Sequence, residues 1–152
     1  MRRSIAALAL AGWAAAGAVA AAAVPHTLSA TIRSARIQAS GPVSVEAGVV
    51  DGASGHGAAV LRLRADSPGT PGPGGTPVGL ATATFRVFYD DGSLSGTIRL
   101  TVTGAGPGST LAGTGRITGG TGRFAGATGT VRARGARGIG PTVIRLRGTL
   151  EG

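Results

Sequence analysis

The sequence predicts an all-β protein, a single antiparallel β-barrel of about eight strands that follows an N-terminal signal segment. Three observations carry this. Beyond residue 24, apolar residues recur with a period of two, as half-buried strands require. Turn-forming residues interrupt that pattern at short intervals, and no stretch shows helical periodicity. With 152 residues, the chain is long enough for one sizeable core and too short for two ordinary ones.

The segment 1–23 reads as a cleavable signal peptide, and 24–152 as the barrel domain. Arg2 and Arg3 form a basic start, the run from Ile5 to Val24 is uncharged and apolar, and Ala21-Ala22-Ala23 supplies small residues for cleavage. An uncleaved anchor is the competing reading, weakened by the dominance of Ala and Gly in the run. Export places the mature domain outside the cytoplasm, as a secreted or extracytoplasmic protein.

The strands are expected around Leu28–Ile37, Val43–Val50, Ala59–Ala65, Ala81–Tyr89, Leu94–Thr103, Leu111–Thr118, Thr128–Arg134 and Val143–Leu150. The clearest is the fifth: Leu94, Gly96, Ile98, Leu100 and Val102 share one face, and Ser95, Thr97, Arg99, Thr101 and Thr103 the other. In the first, the alternation changes phase near Ser34 and Ala35, which reads as a bulge. Asp51-Gly52 and Asp91-Gly92 read as hairpin turns in which Asp and Gly accept positive φ. The segment 66–79, DSPGTPGPGGTPVG, reads as a long exposed loop because its prolines cannot donate to a ladder.

All 15 basic residues are arginine, against six acids, and the net charge is +9. Such a domain is attracted to anionic surfaces, even without Arg2 and Arg3. Arg62 and Arg64, Arg132 and Arg134, and Arg145 and Arg147 are spaced by two, so each pair shares a strand face, while Arg86 and Arg99 stand singly. A solvated outer wall explains them; an anionic partner such as a cell-envelope polymer is the sharper alternative, since guanidinium forks suit it. Nucleic acid is not expected, because aromatic stacking residues are scarce. Cysteine is absent, which excludes disulfides, thiol nucleophiles and Cys-type zinc sites. The lack of lysine excludes a Walker-type phosphate loop and Schiff-base chemistry. No metal or cofactor is expected. His26 and His56 have no obvious partners and read as solvated.

Residues 113–130, GTGRITGGTGRFAGATGT, hold a seven-residue echo: Thr114-Gly115-Arg116-Ile117 returns as Thr121-Gly122-Arg123-Phe124. An odd spacing in one straight strand would send the two arginines to opposite faces, so a turn or bulge is expected around Gly119-Gly120. Gly120 to Ala125 also matches G-x-G-x-x-A, but strand-like sequence follows where a dinucleotide site needs a helix. The stretch Gly119-Gly120-Thr121-Gly122-Arg123-Phe124-Ala125-Gly126-Ala127-Thr128-Gly129, with the hairpin from Phe88 to Gly96, resembles the signature of the allene oxide cyclase-like and dirigent-like barrel proteins, as in exported bacterial members. The resemblance covers residues 80–150. It implies an eight-stranded antiparallel barrel, often a homo-oligomer, that handles a small hydrophobic molecule and works with acidic side chains inside.

The first functional reading is therefore a non-catalytic barrel that binds a small apolar ligand or serves as an envelope-associated module. Phe85, Val87, Ile98, Leu100, Ile144 and Leu146 are its expected ligand-lining residues, with Val102 on the same inner face. The second is a cyclase- or dirigent-like protein that steers a reactive lipid or phenolic intermediate, with Glu46 and Tyr89 as candidate catalytic groups. Here the sequence departs from the family pattern, because Glu46 shares a strand face with Ser44 and reads as solvated. The third is an arginine surface that binds a polyanion.

Overall fold

A computed structural model describes residues 27–152; the expected signal segment and His26 lie outside them. The eight strands are β1 (Thr27–Ser40), β2 (Val43–Gly52), β3 (Gly55–Pro71), β4 (Pro77–Tyr89), β5 (Gly92–Thr103), β6 (Thr110–Gly122), β7 (Thr128–Arg137) and β8 (Thr142–Glu151). Each pairs antiparallel with its sequence neighbours, and β8 returns to β1, closing the sheet into a barrel. The β1–β8 ladder runs unbroken from Thr27↔Thr149 to Ser34↔Thr142, so both chain-terminal strands are paired on both sides.

Side chains alternate across such a wall, and the inner set is apolar. Ile32, Leu61, Leu94, Leu100, Leu111, Ile144 and Leu146 are all buried. β5 follows the expected parity, with Leu94, Ile98 and Leu100 buried and Val102 half-buried at its end.

The two ends of the barrel differ. One carries the turns at 53–54, 90–91 and 123–127, and it is plugged. Phe124 is completely buried there, with the Tyr89 ring 5.5 Å away. Arg123 covers the plug, its guanidinium 4.7 Å from the Phe124 ring centroid, its Nε 3.1 Å from Asp91 Oδ1, and an Nη donating to the Ser54 carbonyl. The glycine-rich motif makes this closure sterically feasible. A Cβ on Gly120 would lie 2.4 Å from the Phe124 carbonyl oxygen, and Gly122 turns the chain with a φ of +60°.

Several local expectations are corrected. The extra residue in β1 is Ile37, between Arg36↔Glu46 and Gln38↔Val45, and not near Ser34. The bulge expected around Gly119-Gly120 is present: the extra residue of β6 is Thr118, immediately before them. Segment 66–79 is exposed for the most part but is largely a hairpin extension of β3 and β4. Its prolines are accommodated because Pro68 falls in a register break and Pro71 faces Pro77, where regular pairing ends. Gly52 and Gly92 belong to strands and have no positive φ. They are glycines because a Cβ would lie 2.1 Å from the Ser29 carbonyl oxygen and 2.2 Å from that of Thr121, respectively.

Because Phe124 fills the plugged end, Phe124→Ala is expected to cost about 3–5 kcal/mol in denaturant unfolding. Ile139→Ala, at a side chain 97% exposed, should leave stability within about 0.5 kcal/mol.

Candidate functional site

The opposite end is open. Its wall is formed by the turns at 41–42, 72–76, 104–109 and 138–141, and the first strand beyond Ser34 projects above it as an exposed overhang. Two neighbouring hollows lie here, both bordered by Arg36 and Arg137. The larger, about 420 Å³, is mainly apolar on its inner side, where Leu63, Ala65, Ala81 and Val102 line it. The smaller, about 340 Å³, takes polar side chains from Ser34, Glu46, Arg137 and Thr142 among Ala35, Pro107 and glycines.

β2 explains the polar side. Ser44, Glu46, Gly48 and Val50 take its inward face, while Val43, Val45, Ala47 and Val49 face out. Its polarity is thus reversed relative to the other strands. Glu46 is 1% exposed, contrary to the solvated side chain expected, and accepts a hydrogen bond from Ser34 Oγ at 2.7 Å. No ion pair reaches it among the described residues. Ring closure brings the rest of the polar band alongside, through the registers Arg36↔Glu46, Ser34↔Thr142 and Thr142↔Arg137. The Nε of Arg137 and the Oγ of nearby Ser109 are buried without hydrogen-bond partners, although the Arg137 backbone N–H donates to the Ser109 carbonyl at 2.9 Å. A carboxyl acceptor and a guanidinium donor therefore flank one small hollow. They can bind or polarise a ligand carrying a hydroxyl or carbonyl group.

The other expected site residues fall elsewhere. Phe85, Val87, Ile98, Leu100, Ile144 and Leu146 are buried in the barrel and line neither hollow. Tyr89 sits at the plugged end, separated from Glu46 by the packed core. Arg62, Arg64, Arg132, Arg134, Arg145 and Arg147 are exposed on the outer wall, where Arg64 Nε donates to Asp66 Oδ1 at 2.9 Å. Hydrogen bonding to Thr82, with a smaller contribution from Arg64, holds the Asp66 carboxyl below its ordinary range. His56 is not without a partner: its Nδ1 meets Asp51 Oδ1, and Arg33 Nη1 donates to Asp51 Oδ2 at 2.9 Å. The His56 hydrogen bond is the main cause of the lowered Asp51 pKa.

Sequence reasoning missed Ser34, Thr142 and Arg137. The available signal was parity: Ser34 continues the inward series Leu28, Ala30, Ile32, and Thr142 and Arg137 continue those of β8 and β7. No family model, curated protein or solved structure matches the chain.

Burial raises the Tyr89 pKa, a shift that the Arg123 guanidinium partly opposes. The unfolded tyrosine, near pH 10, thus ionises first. Its contribution to stability is fully present below about pH 10 and is lost as the pH rises through the folded value. Tyr89 is the only tyrosine and there are no lysines, so few other groups titrate there. Denaturant unfolding between about pH 9 and 11.5 should show stability falling more steeply in the wild type than in Tyr89→Phe; equal slopes would contradict this.

Proposed function

We propose that the protein is an exported barrel whose open mouth binds a small, mostly apolar molecule and presents to it one carboxyl, that of Glu46. The observation that carries this reading is an acid only 1% exposed, held by a serine, in the lining of one of two neighbouring hollows, the other of which reaches Leu63, Ala81 and Val102. A carboxyl removed from water without an ion-pair partner does not help a barrel fold; hydrophobic residues of similar volume would serve packing better. Its placement is explained by a ligand group that it must meet. In this reading the apolar hollow supplies affinity through burial, and Glu46 with Arg137 supplies orientation. The proposed export rests on the basic, apolar and small-residue pattern of residues 1–23.

A second reading is favoured by the same side chain. The resemblance to cyclase- and dirigent-like proteins implies an acid inside the barrel, and Glu46 occupies such a place. There it would move a proton or stabilise positive charge in a lipid or phenolic intermediate, with Ser34 fixing its carboxyl. The deep residues Ile98, Leu100 and Ile144 would then act as packing beneath the site.

Two fluorescent ligands test the placement. Ala65→Trp, which fills the apolar hollow from its wall, should weaken binding of neutral N-phenyl-1-naphthylamine by about tenfold. Glu46→Gln should leave that probe nearly unaffected but weaken 1-naphthol, whose hydroxyl seeks the carboxyl, by about tenfold. Unchanged binding in Ala65→Trp would place the ligand elsewhere, and equal responses of the two probes to Glu46→Gln would remove the carboxyl from the site.

A further inference from the structure

The outer wall at β7 and β8 carries a different feature. In the β7–β8 ladder, Arg132 lies directly across from Arg147, and Arg134 from Arg145. Cross-strand neighbours on one face are about 4.5–5.5 Å apart, and residues two apart along a strand about 7 Å. Four guanidiniums thus form a two-by-two array on a rigid sheet. The first row continues across β6 to Arg99, through Thr114.

The array has no internal compensation. Its register neighbours on the flanking strands are Ser29, Thr31, Ala112 and Thr114, none of them acidic. None of its four arginines takes part in an ion pair among the described residues. The acid closest in register, Asp51 beyond Thr31, is occupied by Arg33 and His56. Like charges directly opposed across a ladder repel and cost stability. Arginines that only kept the surface wet could be staggered among the abundant outer threonines without that cost.

We propose that this face of β7 and β8 binds a polymer carrying phosphate groups in series. Phosphate suits this array: each phosphate within a polymer keeps a full negative charge at neutral pH and two non-bridging oxygens, one for each of two opposed guanidiniums. Two such rows, repeated along the strands, hold successive phosphates of one chain. The single anions of a buffer would engage only one row, so affinity grows with polymer length. This inference is independent of the mouth and of Glu46, which lie inside the barrel.

The test uses the full-length chain and inorganic polyphosphate, with binding followed by calorimetry at about 50 and 300 mM salt. The wild type should bind, and more weakly at the higher salt. Arg132→Gln with Arg147→Gln should weaken binding by about tenfold or more, without lowering thermal stability, since it relieves an opposed like-charge pair. Gln38→Glu with Thr84→Glu lowers the net charge equally at exposed positions away from the array, and should weaken binding by less than about threefold. Equal losses in the two double variants would show that only net charge matters and would overturn the proposal. So would no binding, salt-independent binding, or tighter binding of a carboxylate polymer, polyglutamate, of matched charge.

Discussion

Closure of the sheet between β1 and β8 is the constraint on which the rest of this molecule depends. Eight consecutive register pairs, from Thr27↔Thr149 to Ser34↔Thr142, turn an open meander into a ring with no exposed edge. Once the ring is closed, the face of every side chain is set by its position along the strand. A slip of one residue by β8 in this ladder would send Ile144 and Leu146 outward and bring Arg145 and Arg147 inside, and a slip by β1 would send Ile32 outward. The penalty for burying those guanidiniums specifies the register as firmly as the gain from burying the isoleucines. The polar mouth and the outer arginine array are therefore consequences of one pairing.

Within that ring, dense packing and the proposed site are separated along the barrel axis. The plugged end spends its sequence on packing: Phe124, Tyr89 and Leu94 fill it, and the glycines of the motif let the backbone close over them. The mouth gives up packing. There β2 turns Val43 and Val45 outward and places Ser44, Glu46 and Gly48 inside, so two hollows replace what could have been core. The glycine-rich motif thus builds the scaffold, whereas the proposed site sits at the opposite end, on residues that no motif marks.

Much of the fold was legible because strand parity is a local property. Leu94 to Thr103 and Val143 to Leu150 alternate so regularly that their buried faces follow from the sequence, as do the outward arginines. The proposed site was less legible. Glu46 lies in a strand whose valines suggest the opposite face, and only its pairing with β1 and β3 reveals that the strand is reversed. Ser34 resembled a change of phase because a polar residue in an inward series looks like a bulge until its neighbour is seen to be a buried carboxyl. The prolines of 66–79 suggested a loop, since the register breaks that admit them are made by the partner strand. The opposition of Arg132 to Arg147 depends likewise on how β7 meets β8. In each case the missing information was the identity of the residue across the ladder.

Hydrogen–deuterium exchange of the backbone amides tests the closure most directly. If the ring is closed, amides of residues 28–34 and 142–149 are protected on both sides, and the β1–β8 ladder exchanges as slowly as the β4–β5 ladder at the heart of the sheet. Exchange of those β1 and β8 amides at the rate of the 104–109 turn would show an open sheet with two free edges, contradicting the barrel and the inward placement of Glu46 with it.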